Sequence, residues 1–137
     1  MSACLDWEQP EHTQLLKDIT DWMLELGVPA HLKGYHYLRT AIVMAEEDME
    51  VVGSVTKLLY PEIAKQYKTT DQKVERAIRN AIEISWLRGN PELFEELFGY
   101  SVLTGRNRPT NSEYIAQIAD CAGLQKRRRS LQAVVPV

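Results

Sequence analysis

Long hydrophobic runs, cysteine and histidine are all scarce in this sequence of 137 residues. No stretch approaches the roughly 20 apolar residues that a transmembrane helix needs, so we expect no membrane span. Residues 1–10 are acidic and lack the apolar centre of a signal peptide, so we expect none. The two cysteines, Cys4 and Cys121, share no metal-ligand spacing and are expected to remain reduced thiols in a cytoplasm.

The motifs of enzyme chemistry are missing as well. Of the three histidines, His31 and His36 are separated by a spacing that does not place both on one helical face, as a metal-binding pair requires. No nucleophile elbow, phosphate-binding glycine loop or dinucleotide fingerprint occurs. The acidic cluster at residues 46–50 lacks the spacing of a calcium loop. The sequence therefore predicts a protein that is not an enzyme and that uses no metal and no cofactor.

The charge is distributed unevenly along the chain. The net charge is −3, but residues 1–56 hold 3 basic and 10 acidic side chains, whereas residues 57–137 hold 13 basic and 9 acidic ones. The basic half includes Arg106, Arg108 and the run at 126–129. A basic half can attract phosphates, and the acidic half would limit indiscriminate binding.

Apolar residues recur at helical spacing nearly throughout, which predicts an all-α fold of about six helices. Gly27 is expected to end the first helix, and residues 49–57 either continue the second helix or bridge to the third. A capping-box pattern at 110–113 predicts the start of the last helix, and Gly123 its end. We expect a flexible acidic N-terminus at 1–11, one helical domain at 12–124 and a basic tail at 125–137.

Residues 70–85 are the most informative segment, because a helix there has two different faces. The residues of one face are small or aliphatic: Val74, Ala77, Ile78, Ala81, Ile82 and Ser85. The candidate base-reading residues on the other face are Gln72, Lys73, Glu75, Arg76, Arg79 and Asn80. Guanidinium groups suit guanine, amides suit adenine, and a carboxylate can accept from cytosine N4. The alternative is a charged face that is merely solvated, as on most amphipathic helices. Trp86 and Leu87 are expected to close this helix against the core.

A short helix precedes this segment, at residues 58–67, with Pro61 expected at its first position. Lys68 and Thr69 leave room only for a turn, and Thr69 or Thr70 can cap the next helix. The segment at about 60–87 therefore predicts a helix-turn-helix, whose second helix would enter the major groove of double-stranded DNA. The turn lacks the glycine often found there, so two packed helices without a nucleic-acid role remain an alternative.

Other charged residues are weaker candidates. Lys65, Lys68 and Arg88 are candidate phosphate contacts on charge alone, and each could equally be a surface cation. Residues 91–98 predict a short helix led by proline, with Glu92, Glu95 and Glu96 exposed. The last basic run either adds phosphate affinity or keeps the tail solvated.

Several long strings, read together, resemble the C-terminal effector domain of the stage-zero sporulation master regulator, a response regulator of endospore-forming Firmicutes. The matching strings are 27–35, 38–39, 41–42, 56–64, 74–79, 81–83, 86, 88–90, 97–100 and 109–113. The resemblance spans roughly residues 12–124. It implies six helices, unrelated to the winged helix, of which the third and fourth form a helix-turn-helix.

The resemblance also implies a function in early sporulation. The family binds short boxes similar to 5′-TGTCGAA-3′, often in tandem, and activates or represses promoters. By position, Lys73, Glu75 and Arg76 would read bases, and Arg79 would approach bases or phosphates. The short helix with Glu92, Glu95 and Glu96 would contact the housekeeping sigma factor of RNA polymerase. The last helix would join neighbouring copies, as a homodimer, on tandem boxes.

Two features depart from the family pattern. The family usually has arginine at the position of Lys73 and histidine at that of Asn80, so base preference at Lys73 could be relaxed, because lysine lacks the planar fork. The family usually has a phospho-accepting receiver domain before this region, and residues 1–11 are too few to form one, so we expect either an excised effector domain or a relative without a receiver.

Two hypotheses of function follow. The first is a sequence-specific transcriptional regulator associated with the nucleoid, because the residues of the reading face are present. The second is an interaction module that antagonises or titrates the full-length regulator or its polymerase partner. The first is favoured, because an interaction module has no evident need of a base-reading face.

Overall fold

The computed structural model of the chain describes residues 10–99 and 108–134. Within them lie six α-helices, and no strand occurs among the residues described. The helices are α1 (Pro10–Glu25), α2 (Lys33–Glu47), α3 (Tyr60–Gln66), α4 (Asp71–Arg88), α5 (Pro91–Phe98) and α6 (Asn111–Val134). A 3₁₀ turn (Met49–Ser54) and a π-helical turn (Val55–Leu59) join α2 to α3. The prediction of an all-α fold is confirmed. Cys4, Arg106 and the predicted flexible N-terminus up to residue 9 lie outside the described residues.

The second helix, α2, is at the centre of the fold. Most of its residues are buried, and it packs against α4 on one side and α6 on another. Gly34, in its first turn, allows a close approach, because a Cβ there would lie 2.1 Å from the carbonyl oxygen of Ala77 on α4. Burial of the core side chains of α1, such as Leu15, Ile19 and Met23, completes the core around α2.

The end of α1 is fastened to the end of α4. Gly27 has a φ of +78°, which a glycine adopts without the strain of a side chain, and it ends α1 as the sequence predicted. The Ser85 hydroxyl donates to the carbonyl oxygen of Leu26 at 2.6 Å. A Cβ on Gly27 would lie 2.9 Å from the amide nitrogen of Gly89, so the backbone just after α1 is in direct contact with the backbone just after α4. These contacts fix the inner face of α4.

The helix-turn-helix forms much as predicted, with local differences. Residues 58–59 belong to the π-helical turn, so α3 begins at Tyr60 and Pro61 is its second residue. Thr70 caps α4, and its hydroxyl accepts from the Lys73 amide at 3.2 Å. The alternative capping box from Thr69 to Gln72 does not form, because the helix starts one residue later.

Lys68 replaces the missing glycine of the turn. It adopts a φ of +55°, in the left-handed region that non-glycine residues rarely enter. The following amide, that of Thr69, donates to the carbonyl oxygen of Ala64 at 2.9 Å and closes the turn onto α3. The turn is therefore made by a cation in a glycine-like conformation.

Two predictions about helix ends were wrong. Gly123 is buried inside α6, which begins with the predicted capping box between Thr110 and Glu113 and continues to Val134. A helical glycine costs about 1 kcal/mol relative to alanine, and the contacts of the helix beyond it offset this cost. Leu87 is 77% exposed and does not face the core, whereas Trp86 packs edge-on against Phe94.

No helix among the described residues is long and apolar enough to cross a membrane.

Candidate nucleic-acid interface

The core-facing side of α4 holds this helix firmly in place. Val74, Ile78 and Ile82 are fully buried. The Ser85 hydroxyl also bonds to the Tyr114 hydroxyl at 2.8 Å, which joins α4 to α6. Burial raises the pKa of Tyr114 well above its usual value, although the hydrogen bond to Ser85 acts in the opposite direction. The opposite face of α4 is therefore presented by a rigid element.

The predicted base-reading residues share that outer face. Gln72, Lys73, Arg76, Arg79 and Asn80 are exposed, and Glu75 is half-buried. Because successive residues on a helix rise by about 1.5 Å, these six side chains start within about 12 Å of one another along the axis. Such a span fits within a major groove about 12 Å wide.

Glu75 and Arg79 interact with each other, whereas their neighbours do not. The Arg79 guanidinium lies 3.5 Å from the Glu75 carboxylate, one turn away. Among the described residues, no carboxylate forms an ion pair with Lys73 or Arg76. Lys73 and Arg76 therefore present their full charge to solvent.

A basic cleft of about 650 Å³ opens beside the outer face of α4. We use "basic cleft" for the concave surface lined by Lys33, Tyr37, Tyr67, Lys68, Thr69, Lys73, Arg76, Ala77 and Asn80. Four of these residues are cationic and none is acidic. The Tyr67 hydroxyl bonds to the Thr40 hydroxyl at 2.8 Å, and the ring of Tyr67 packs edge-on against Tyr37. These two contacts hold Tyr67, which lies just before the turn, against α2, and so fix this part of the cleft wall.

Lys33 was missed by sequence reasoning. It is the first residue of α2, distant in sequence from the helix-turn-helix. The one local hint is Gly34, the next residue, because a glycine in a helix can allow close packing against another helix. The sequence does not show which helix that would be. The contact between Gly34 and Ala77 brings Lys33 to the cleft.

A second, smaller depression of about 370 Å³ lies along the other side of α4. Its lining includes Glu75, Arg79 and Arg108, with polar groups at the start of α6. Asn111 donates to the Tyr60 hydroxyl at 2.9 Å and joins this part of α6 to α3. Burial raises the pKa of Tyr60. Because Glu75 is part of the lining, an acid is mixed with the cations here, unlike in the basic cleft, and Arg108 also lies 3.9 Å from Glu83.

The three predicted phosphate contacts occupy different places. Lys68 lines the basic cleft, and Lys65 is exposed on α3 near the same turn. Arg88 is exposed at the opposite end of α4, about 22 Å along the axis from Lys73. The structure therefore groups Lys68 with the base-reading candidates and leaves Arg88 apart from them.

The acidic residues of α5 form a separate exposed surface. Glu92, Glu95 and Glu96 are all exposed, while Phe94 is buried on the inner side. Asn90 caps the helix, and its side-chain oxygen accepts from the Glu92 amide at 2.9 Å. The predicted division of α5 into an exposed acidic side and a buried apolar side is present.

The basic run at residues 126–129 lies on α6, where two of its residues form ion pairs within the fold and two are exposed. Lys126 pairs with Glu46 at 2.7 Å, and Arg129 pairs with Asp18 at 2.6 Å. The carboxylates of both pairs are nearly inaccessible, at 6% and 7% exposure. Arg127 and Arg128 are exposed. Half of the run is thus directed inward, where it pairs with the acidic half of the chain.

The described residues contain no cluster of three or more side chains that could hold a metal ion.

The family model described as "Sporulation initiation factor Spo0A C terminal" matches residues 19–121. The match includes all of α2, α3, α4 and α5, and hence the candidate reading face and most of the residues around it. Proteins of this family bind DNA and regulate sporulation. The chain belongs to the family of the C-terminal domain of the sporulation initiation factor Spo0A.

Proposed function

We propose that this chain is a sequence-specific transcriptional regulator that reads boxes similar to 5′-TGTCGAA-3′ with the outer face of α4. The observation that carries the proposal is that Lys73 and Arg76 are exposed and form no ion pair with any described residue, on a helix whose inner face is fixed in the core. A helix that reads base edges must present its donors at a fixed depth and register. The attachment of α4 to α1 and α6 through Ser85 meets that need.

Each side chain has a role that its chemistry suits. Arg76 would donate two hydrogen bonds to O6 and N7 of a guanine. Glu75 would accept from N4 of a cytosine, and its ion pair with Arg79 orients the carboxylate before DNA arrives. Lys73 would contact a guanine through a single charged group, with weaker selectivity than an arginine fork. Gln72 and Asn80 carry amides that suit adenine or a phosphate.

A contact with the sigma factor of RNA polymerase belongs to the same proposal, through Glu92, Glu95 and Glu96 on α5. Their exposure supports it, because these carboxylates form no ion pair with the residues that the structure describes and can meet a basic partner. This surface follows the C-terminal end of α4, whereas the base-reading candidates occupy its N-terminal half. A protein bound to DNA through α4 could therefore contact a second partner through α5. Pairing of copies on tandem boxes would bring two such surfaces to one promoter.

Fluorescence anisotropy of labelled duplexes tests the proposal. One box, two tandem boxes and a scrambled sequence would be titrated with the wild type, with Arg76→Ala and with Arg128→Ala. Arg128 is a matched control, because it is an exposed arginine on α6 outside the cleft. We expect Arg76→Ala to lose about 1–3 kcal/mol on the box and much less on the scramble. Arg128→Ala should leave the preference for the box unchanged.

Other outcomes have clear meanings. Equal losses on box and scramble would show that Arg76 contacts the backbone and not a base. Binding of the wild type that is equal on all three duplexes would refute box recognition. No binding to any duplex, with capture of purified full-length regulator or sigma factor, would establish the interaction module instead.

A further inference from the structure

We propose that Lys33, which lies outside the helix-turn-helix, is a DNA-backbone anchor that holds a phosphate jointly with Lys68 across the basic cleft. The inference rests on the proposed function, since it adds a phosphate site to the same DNA-binding surface. It assigns the cleft to one strand of the duplex whose bases α4 would read.

Packing determines the position of Lys33. The missing side chain of Gly34 allows the first turn of α2 to touch the backbone of α4 at Ala77. Ala77 follows Arg76 directly, so the neighbouring Lys33 lines the same cleft as Lys73 and Arg76. A contact between helix backbones leaves little freedom for the two elements to move apart, and the distance between Lys33 and α4 is therefore set by the core.

Lys68 also lines the cleft, from the turn between α3 and α4. Its φ of +55° is unfavourable for a residue with a Cβ by about 1–2 kcal/mol. Glycine would adopt this conformation without that strain. A strained residue persists where the surrounding structure holds it, and such residues cluster at functional sites. A cation in this position is consistent with a role that glycine could not perform.

The charge of the cleft favours an anion. Lys33, Lys68, Lys73 and Arg76 line it without an acidic side chain, whereas the depression on the other side of α4 includes Glu75. The first turn of α2 also has no acidic residue that would neutralise Lys33. A phosphodiester is the anion that must lie beside a helix in the major groove, because the two backbones form the walls of that groove.

The experiment compares the salt dependence of DNA binding for the wild type, Lys33→Gln and Lys68→Gln, on box and scrambled duplexes. Lys17→Gln is the control, since Lys17 is an exposed lysine on α1 that pairs only loosely with Asp21. A phosphate contact contributes about 0.9 to the slope of log K against log salt. Because the two lysines share one phosphate, each cleft variant should lose up to about that slope on both duplexes, and its affinity should then decline up to about 3-fold less between 50 and 200 mM salt. Lys17→Gln should retain the wild-type slope.

Methylphosphonate substitution locates the contact. Neutralising one phosphate at a time should reveal a position on one strand where the wild type loses more affinity than Lys33→Gln does. The same position should also be less sensitive in Lys68→Gln if the two lysines share one phosphate.

The outcomes separate this inference from the proposed function. If the wild type prefers the box but Lys33→Gln keeps the full slope, the anchor is refuted and base reading stands. If the wild type shows no preference but the slope falls in both cleft variants, the anchor stands and base reading is refuted. Sensitive phosphates on opposite strands for Lys33 and Lys68 would refute the shared contact.

Discussion

Arg129 offers the sharpest test of how the last basic run acts. The structure places it on Asp18, whose side chain is 7% exposed, at a distance of 2.6 Å. Gln14 donates to one carboxylate oxygen of Asp18 at 3.1 Å, and Arg129 forms an ion pair with the other, which has no hydrogen-bond partner among the described residues. Replacing Arg129 by alanine would leave that buried oxygen without its charged partner.

The expected loss follows from the burial of the two partners. Removing one partner of a fully buried ion pair costs about 3–5 kcal/mol. Arg129 itself is 38% exposed, so water can reach part of the vacated space and screening reduces the contribution of the pair. We therefore expect Arg129→Ala to lower the free energy of unfolding by about 2 kcal/mol, after discounting that range for solvent access.

Urea denaturation followed by circular dichroism would measure this loss. Arg127→Ala and Arg128→Ala are matched controls, since they remove the same charge from the same helix but are exposed. Each should change the free energy of unfolding by less than about 0.5 kcal/mol. The double variant Asp18→Asn with Arg129→Ala should recover part of the loss, because it no longer buries an uncompensated charge.

A different pattern would refute the reasoning. If Arg129→Ala is as stable as the two controls but lowers the salt slope of DNA binding, then Arg129 binds phosphate and does not clamp α6. A loss that is equal in all three variants would reflect helix propensity or general charge, and not the pair with Asp18.

The remaining predictions concern the cleft and the core. Gly34→Ala should destabilise the protein by at least about 1–3 kcal/mol in thermal denaturation, because its Cβ would lie 2.1 Å from the Ala77 carbonyl oxygen; unchanged stability would contradict the close contact with α4. Lys68→Gly should raise the free energy of unfolding by up to about 1 kcal/mol, as relief of strain exceeds the added backbone entropy, while weakening DNA binding; a fall in stability would refute the strain. Because burial raises the pKa of Tyr114 above that of the unfolded chain, its contribution to stability should be present below about pH 10 and be lost as the pH rises further. The stability of wild type should then fall more steeply above pH 10 than that of Tyr114→Phe, by up to about 1.4 kcal/mol per pH unit, and parallel curves would contradict it. Burial chiefly, and the charges of Asp120 and Glu96, raise the pKa of Cys121, so its thiol should react with iodoacetamide more slowly in the folded protein than in urea at pH 8.

The faces of α4 could be predicted from the sequence because they depend on local periodicity alone. Val74, Ile78 and Ile82 recur at intervals that any helix would place on one side. The choice of Thr70 over Thr69 as the cap is a shift of one residue, which sequence patterns do not resolve. Local signals thus predicted which residues form the outer face of α4, but not which threonine caps the helix.

Two other features depended on contacts between distant parts of the chain. Gly123 is a valid local signal for a helix end, but residues beyond it bind to α1 and α2: Gln125 accepts from the Trp22 indole at 2.8 Å, and Lys126 and Arg129 pair with acids. These long-range contacts offset the local preference for ending the helix. Lys33 reached the candidate site for a similar reason, since only the packing of Gly34 on α4 brings it there.

The charge asymmetry of the sequence has a different meaning once the pairs are known. Considered alone, the sequence of the second half of the chain offers two basic regions to DNA, the helix-turn-helix and the last run. Lys126 and Arg129 are neutralised by Glu46 and Asp18, however, and these acids belong to the acidic first half. The acids therefore do more than repel DNA, because they hold α6 against α1 and α2. Other cations, such as Arg88 and Arg127, are also unpaired among the described residues, but the basic cleft beside α4 brings four cations together without a carboxylate in its lining. An attraction focused on one side of the reading helix fixes the orientation of a duplex, which a uniformly basic surface would not do.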